Sequence, residues 1–359
     1  MKKALAVALG FLPLLLLCLG TASAQSPALS LGSVSEIHLL PSCPAGFYPG
    51  ASCYQAVVSC RNTMDIQVTY GYTSPRGIPR GTIVMINGAG GIEAYGSGNG
   101  QRSYGDSYLQ AGYQFVQSAF ASDWEDTGIN GAKSIKAAAC RPATLLNYFH
   151  QNLYKGDGGM CAQGASAGSG ALAYSLTWYG SGEYLDKVEL LSGPVFSDIQ
   201  QGCMEPDSPA VTVCSPNQYG CNGSRWSDLP QYIGGAQGTL GQLTGHKCQQ
   251  GNITPAATND SWKAMSIVDG SNEASFAYPQ TALSGWLCSN GLNNSAAQGQ
   301  LYYRQFSNRS QVATYSLTRI DGCAGSEGLE AGSTPQGKNG FAAITADMTD
   351  PVAGCIKRH

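Results

Sequence analysis

The chain has 359 residues, a net charge of −3 and only 12% charged residues, about half the usual share for a globular protein. The sequence contains no basic patch and no basic helix, so nucleic acid and anionic membrane surfaces are excluded as partners on grounds of charge. A chain of this length can bury one large core and still carry an insertion.

The first 24 residues have the pattern of a secretory signal peptide. Lys2 and Lys3 precede an apolar run over residues 4–19, and a stretch of small residues ends at Ala24, where we expect cleavage. A membrane anchor is the alternative, but the run is short for a bilayer span. No later segment is apolar enough to cross a membrane, so we expect no stable membrane insertion. The sequence predicts a secreted or periplasmic protein.

Residues 25–65 are interpreted as an N-terminal lead-in, irregular over 25–50 because four prolines interrupt it. Beyond it, strands and helices alternate. Runs rich in β-branched and aromatic residues predict strands at 66–72, 82–86, 113–116, 160–163, 187–191, 281–287 and 312–320. Apolar residues at helical spacing predict helices near 107–111, at 137–154, at 169–178, near 296–306 and near 340–348.

This alternation predicts an α/β fold with a mostly parallel, doubly wound sheet. Residues 66–196 and 281–359 would form its core. Residues 197–280 break the rhythm, since they are rich in Gly, Asn, Gln and Pro and contain four cysteines. We interpret this segment as a disulfide-stapled cap insertion over the sheet.

The cysteines indicate disulfides. One of the 13 cysteines, Cys18, lies in the signal peptide, so an even number remains after cleavage, as expected in an exported protein. A zinc site is the alternative, but the chain has no C-x-x-C pair, and no metal is predicted. We expect Cys323 to pair with Cys355 around the last helix. Cys140 and Cys161 are a second plausible pair, near the carboxyl edge of the sheet.

The most informative motif is G-x-S-x-G at Gly164, Ser166 and Gly168. Between a buried strand and a helix, this motif makes a strained turn that holds a serine hydroxyl above the sheet edge. The chain has 47 glycines, so a chance match is a real risk. The interpretation therefore depends on the strand predicted before Ser166 and the helix predicted after it.

The order of these elements resembles the α/β-hydrolase superfamily, in particular its secreted serine esterases and lipases. The resemblance covers roughly residue 66 to the C-terminus and is most specific at the serine motif and at a glycine loop after the strand 82–86. It implies a serine nucleophile at Ser166 and a first oxyanion donor in the amide of Ala167. The second donor would come from the loop Gly88, Ala89, Gly90 and Gly91, with Asn87 in the place of the family's histidine; an ordinary turn is the alternative.

The family order of serine, acid and histidine is not matched, because the loops after the last two predicted strands lack the usual carboxylate and histidine. Four histidines are available. His38 precedes the core, His150 lies in a helix, and His246 lies in the insertion. The last residue, His359, would be brought near the last strand by the expected Cys323–Cys355 bond and is the preferred base, although a terminal residue is usually frayed.

Three carboxylates are candidates for the acid. Asp198 follows the strand 187–191, where some lipases of this superfamily place the acid, although it could simply cap a turn. Asp321 and Glu327 follow the last strand and could contact His359. Glu327 could also act directly on Ser166, although a carboxylate is a weak base at its ordinary pKa.

The resemblance thus predicts a secreted serine hydrolase that cleaves a small or polymeric carboxylic ester through an acyl-enzyme at Ser166, with no cofactor. The alternative is a catalytically impaired pseudo-hydrolase that binds a glycan or a polymer, which the incomplete triad favours.

Overall fold

The computed structural model describes residues 29–75, 77–94, 101–125, 134–199, 264–268, 274–288, 294–306, 311–320 and 338–359. Within them, nine strands form one sheet in the order β1-β2-β3-β5-β4-β6-β7-β8-β9. The strands are β1 Ser33–Leu39, β2 Ser52–Ser59, β3 Ile66–Thr73, β4 Gly81–Ile86, β5 Gln114–Phe120, β6 Gly159–Ala165, β7 Lys187–Leu191, β8 Tyr278–Cys288 and β9 Val312–Ile320. The first four strands in this order pair antiparallel, and from β5 to β9 every pairing is parallel.

Helices cover both faces of the sheet. In the described part of the chain they are α1 Gln101–Gln110, α2 Ile135–Ala138, α3 Cys140–Asn152, α4 Ala167–Tyr179, α5 Asn294–Tyr303 and α6 Lys338–Thr349. Strand β4 shows which helices lie on which face. Its residues Val84 and Ile86 pack with α3 and α4, while Ile83 and Met85 pack with α1 and α6 on the other face. All six β4 residues are buried, as an apolar run between two helical layers requires. The predicted mostly parallel, doubly wound sheet is confirmed.

Two parts of the secondary structure differ from the prediction. The single helix expected at 137–154 is divided at Ala139 into α2 and α3. Pro142 lies in the first turn of α3, where its missing N–H interrupts no bond within that helix but prevents a continuous helix from α2. The lead-in is not irregular over 25–50, since β1 lies within that stretch, and β2 lies in the remainder of the lead-in.

Strand β1 escaped prediction because it lies at the edge of the sheet. Six of its seven residues are exposed, so it lacks the apolar alternation of a half-buried strand. Glu36 has a positive φ of 51°, and the pairing register with β2 shifts between Ser35 and His38. Such a bulge interrupts the exposed row of backbone donors and acceptors.

Three disulfides join described residues: Cys43–Cys53, Cys60–Cys140 and Cys161–Cys355. Both expected pairings are therefore wrong. Cys161 lies in the amino-terminal half of β6, opposite Lys187 of β7, and the segment after α6 returns to that edge. Cys140 opens α3 beside β2 and pairs with Cys60. Cys323 lies outside the described residues.

An ion pair between buried Lys187 and partly exposed Asp347 also ties α6 to the sheet. The Lys187 ammonium lies 2.8 Å from the Asp347 carboxylate and donates to the backbone oxygens of Asp347 and Ala353 at 2.9 and 3.3 Å. On the same face, Gln163 donates to Glu189 at 2.8 Å. Burial raises the pKa of the Glu189 carboxyl well above its ordinary range. The amino edge of the sheet is thus closed by the C-terminal segment.

The signal peptide and most of the expected cap, including its cysteines, lie outside the described residues, and the division into core and cap stays a prediction. No helix in the described ranges combines the length and the apolar character needed to span a bilayer.

The Cys161–Cys355 bond should contribute more to stability than Cys43–Cys53. It joins residues 194 positions apart rather than 10, and both of its half-cystines are fully buried. The double variant Cys161→Ala/Cys355→Ala should lose about 2 kcal/mol more unfolding free energy than Cys43→Ala/Cys53→Ala. Urea denaturation of both variants measures the difference; equal losses would contradict the expectation.

Candidate active site

Ser166 lies on a one-residue bend between β6, which ends at Ala165, and α4, which begins at Ala167. Its backbone has φ 50° and ψ −116°, a combination that is unfavourable for any residue with a Cβ. The Ser166 amide donates to the backbone oxygen of Leu191 at 2.9 Å, which ties the bend to the end of β7. The expected strained turn between a buried strand and a helix is confirmed. We call this bend at Ser166 the elbow, and α4 the elbow helix.

The two glycines of the motif allow α4 to begin close to the sheet. A Cβ on Gly168 would overlap the backbone oxygen of Ile86 and lie 2.7 Å from that of Asn87. A Cβ on Gly164 would lie 2.5 Å from the backbone oxygen of Gly168. Because these obstacles are backbone atoms, a side chain at either position would push α4 away from β4 and β6.

The bend leaves Ser166 at the surface of the core. Its exposed fraction is 8%, whereas Ala165 and Ser169 are completely buried. The Ser166 carbonyl accepts from the Ser169 hydroxyl at 2.5 Å and from the Gly170 amide at 3.1 Å, so its backbone is fixed on both sides. No hydrogen bond within the described residues engages its hydroxyl.

The glycine loop begins where β4 ends, next to the first turn of α4. The Gly88 amide donates to the side-chain oxygen of Asn87 at 2.8 Å, and the Gly91 amide donates to the Gly88 carbonyl at 2.9 Å. Gly90 and Gly91 have positive φ values of 69° and 71°, so glycine suits both positions. Two of the four expected donors are therefore engaged within the loop.

The segment after β5 supports this loop and was missed in the sequence analysis. The Trp124 amide donates to the Gly90 carbonyl at 2.8 Å, and the Asp123 carboxyl occupies the space that a Cβ on Gly90 would need. The Trp124 ring is completely buried and packs edge-on against Tyr174 of α4 and Phe196. The sequence offered one signal for this segment, because two carboxylates flank a tryptophan shortly after a buried strand.

Glu125 follows Trp124 in that segment and is an unusual carboxyl group. It is 8% exposed, and its Oε1 has no hydrogen-bond partner among the described atoms. Burial, with a smaller contribution from the charge of Asp123, raises the pKa of Glu125 to about 8. At neutral pH this side chain is therefore mostly protonated.

Asp198 lies after β7, on the same carboxyl edge as Ser166. Its amide donates to the Gln298 side chain at 2.7 Å, and its carbonyl accepts from that side chain at 3.0 Å. The preceding residues pack on α4, since a Cβ on Gly170 would lie 3.0 Å from Val195. The backbone of Asp198 is thus fixed between α5 and the elbow helix.

His359 lies at the opposite edge of the sheet, and this placement corrects the expectation that it is the base. Its ring Nε2 is 3.3 Å from the Leu185 carbonyl, and its amide donates to Asp186 at 3.2 Å. Leu185 precedes β7 and is level with Gly159, at the start of β6. The length of β6 therefore separates the ring from Ser166 by roughly 20 Å. The physical reason is Cys355, which pairs with Cys161 rather than Cys323.

The other described histidines are also remote from Ser166. His150 stacks on Tyr184 and Tyr154 with ring centroids 4.7 and 5.6 Å apart, near the amino edge, and burial lowers its pKa. His38 is exposed on the edge strand β1.

Three other candidate residues, His246, Asp321 and Glu327, lie outside the described residues. Among the described residues, no cluster of His, Cys, Asp or Glu could hold a metal ion.

Comparison with known proteins identifies the fold. No family model and no curated protein sequence matches the chain. Among solved structures, brefeldin A esterase, described as a bacterial homologue of human hormone-sensitive lipase, superposes with a TM-score of 0.54 and 13% identity over 88% of this chain and 78% of that one. An esterase of Pyrobaculum calidifontis superposes with a TM-score of 0.49 and 12% identity, over 87% of this chain and 85% of that one.

The likeness to brefeldin A esterase, together with the strand order and the elbow, defines the class: the chain has the α/β-hydrolase fold. At this level of identity the likeness establishes the fold alone.

The strain at Ser166 makes a prediction about stability. Replacing Ser166 by Gly relieves the positive φ, whereas Ser166→Ala retains it. The unfolding free energy of Ser166→Gly should be about 1 kcal/mol higher than that of Ser166→Ala, after the entropic cost of glycine is subtracted. The matched control is Ser175, in the interior of α4, where Gly should be about 1 kcal/mol less stable than Ala. Urea denaturation measures the difference in unfolding free energy between the Gly and Ala variants at each position. A difference of the same sign at both positions would contradict the prediction.

The raised pKa of Glu125 predicts a pH dependence. Its neutral form is favoured in the folded protein up to about pH 8, whereas the unfolded chain ionises near 4.3. The contribution of Glu125 to stability is therefore complete below the unfolded pKa and is lost as the pH rises towards 8.

Glu125→Gln lacks this titration. The unfolding free energy of the wild type should consequently fall relative to that of Glu125→Gln between pH 5 and pH 8. Denaturation curves recorded at several pH values across this range give the unfolding free energy of each protein. A difference between the two proteins that does not change with pH would rule the effect out.

Proposed function

We propose that this protein is a carboxylic ester hydrolase that uses Ser166 as its nucleophile. The observation that carries the proposal is the backbone of Ser166, held at φ 50° between β6 and α4. With ψ at −116°, this φ lies outside the regions that residues with a Cβ normally occupy, and such strain clusters at functional sites. In the proposed reaction the Ser166 hydroxyl attacks the ester carbonyl, the alcohol leaves, and water then hydrolyses the acyl-enzyme.

The backbone amides around Ser166 suit the negative charge that develops on the carbonyl oxygen. Ala167 is the first residue of α4, and amides in a first helical turn have no intrahelical partner. Gly88 and Gly91 already donate within their loop, so we assign the second oxyanion donor to the amide of Ala89 or Gly90.

The base is assigned by elimination. His38, His150 and His359 lie on other parts of the described fold, so His246 is the only imidazole left among the chain's four histidines. The alternative base is the carboxylate of Glu327. Asp198 remains the proposed acid because it follows the strand next to the elbow and its backbone is fixed by Gln298; Asp321 is the second choice.

The ester substrate class rests on the neighbour in structure. Brefeldin A esterase has the same fold, and an acyl-enzyme mechanism matches the geometry of the bend. The basic start and small-residue site at the N-terminus, together with three disulfides in the described chain, support export to the periplasm or the medium.

One observation favours a second function. No histidine among the described residues lies beside Ser166, so a pseudo-hydrolase that binds a glycan or polymer ester without cleaving it remains the alternative proposal.

A fluorophosphonate probe separates these proposals, applied to the wild type, Ser166→Ala, His246→Ala and His359→Ala. The wild type should be labelled and Ser166→Ala should not. His246→Ala should be labelled about 10²–10⁴-fold more slowly, the usual contribution of a general base. His359→Ala should react at the wild-type rate and serves as the matched control.

Other outcomes correct the proposal in defined ways. A wild-type protein that resists the probe favours the pseudo-hydrolase. Labelling that persists in Ser166→Ala overturns the assignment of the nucleophile. Unchanged labelling of His246→Ala moves the role of base to Glu327.

A further inference from the structure

A cleft of about 420 Å³ opens beside the glycine loop, within the roughly 300–1,000 Å³ range of small-molecule sites. Its floor consists of β3 and β5. One wall is the loop after β1, with Phe47, and the other is the segment from Ile92 to Ala94, which continues directly from the glycine loop. None of the roles assigned above to Ser166 and the glycine loop uses this cleft.

The cleft lies at the same height on the sheet as Ser166. Ile86 of β4 is opposite both Ser118 of β5 and Gly164 of β6. Phe120 and Ser166 each follow two residues later, so they are level along the strands. At about 4.8 Å per strand, the backbone of β5 and β3 at this level lies roughly 10–15 Å from the elbow, counted along the sheet. The side chains of the floor project from the face of the sheet opposite α4. A substrate that extends across the carboxyl edge from Ser166 would reach it.

The outer wall is rigid. The loop from Cys43 to Cys53 is closed by a disulfide, and Phe47 is seated against β3, where a Cβ on Gly71 would lie 3.0 Å from its ring. The inner wall is held by Gly91, since a Cβ there would lie 3.3 Å from the Phe120 ring. A cleft with fixed walls can bind without paying the entropy of ordering them.

The lining favours a neutral ligand with oxygen atoms along an apolar chain. Phe47, Ala94 and Ala119 form an apolar cluster, while Gln67 and Thr69 present an amide and a hydroxyl. The exposed carboxylate of Glu93 on the rim would repel an anionic group, such as the carboxylate of a free fatty acid.

We infer that this cleft is a substrate subsite that binds the neutral segment of an extended ester, such as an oligomeric ester, beyond the bond attacked by Ser166. The inference rests on the proposed function and adds to it the substrate class. Binding in the cleft would hold the remote part of the chain and so lower KM for long substrates, while short esters would not reach it.

The test fills the cleft and compares substrates of different length. Ala121 lines the cleft and is exposed, so Ala121→Trp blocks it without entering the core. Gln67→Trp, also at an exposed lining position, is an independent second variant. Ala353→Trp makes the same alanine substitution at an exposed position at the amino edge and is the control.

Each protein is assayed with p-nitrophenyl acetate and with two extended neutral series, one lengthened on the acyl side and one on the alcohol side. Both cleft variants should raise KM about ten-fold for the extended members of at least one series, the effect of losing the burial of about two methylene groups. They should leave p-nitrophenyl acetate hydrolysis and fluorophosphonate labelling unchanged, and Ala353→Trp should match the wild type throughout.

Unchanged KM values for every extended ester in both cleft variants would overturn the subsite while leaving the proposed function intact. An equal loss of activity on short and extended esters would also overturn the subsite, because it indicates damage to the catalytic site. If no variant and no wild-type protein reacts with the fluorophosphonate, the proposed function itself fails, and the substrate subsite fails with it.

Discussion

The close approach of α4 to the ends of β4 and β6 is the constraint on which the rest of the site depends. Ser166 can occupy a strained one-residue bend only because Gly164 and Gly168 present no side chain to the backbone atoms they face. The amide of Ser166 is tied to Leu191 and its carbonyl to the first turn of α4. The strain is therefore held from both sides, as a persistent unfavourable backbone conformation requires.

The two edges of the sheet serve different purposes. At the amino edge, the disulfide from Cys161 to Cys355, the Lys187–Asp347 ion pair and the bonds of Arg358 and His359 to Asp186 fix the C-terminal segment. At the carboxyl edge lie the elbow, the glycine loop, Asp198 and the cleft. Chemistry at the carboxyl ends of the strands is the general rule for open α/β sheets, and here the C-terminal segment occupies the other edge.

Most of the sheet could be predicted from the sequence, and the reasons are local. Strands β7 and β9 have the predicted bounds because apolar or alternating runs end at clear turn residues. Strand β1 was missed because an exposed edge strand has little burial to reveal it. The elbow was predictable because its glycines, its serine and the flanking elements all lie within one short segment.

The rest of the site depends on contacts between distant parts of the chain, which no local pattern reveals. The position of His359 follows from the partner of Cys355, 194 residues away at Cys161, and sequence separation gives no preference among the possible pairings. The support of Gly90 by Asp123 and Trp124 arises only because β5 is inserted between β3 and β4. Local chemistry was therefore predictable, and the pairing of remote segments was not.

The most direct test of the account is to ask whether Ser166 itself becomes acylated. The protein is mixed with p-nitrophenyl acetate, quenched in acid within the first turnover and digested for peptide mass mapping. The account predicts a burst of p-nitrophenol and one acetyl group on the peptide that contains Ser166. Turnover without an acetyl group on that peptide, or with the group on another residue, would contradict it.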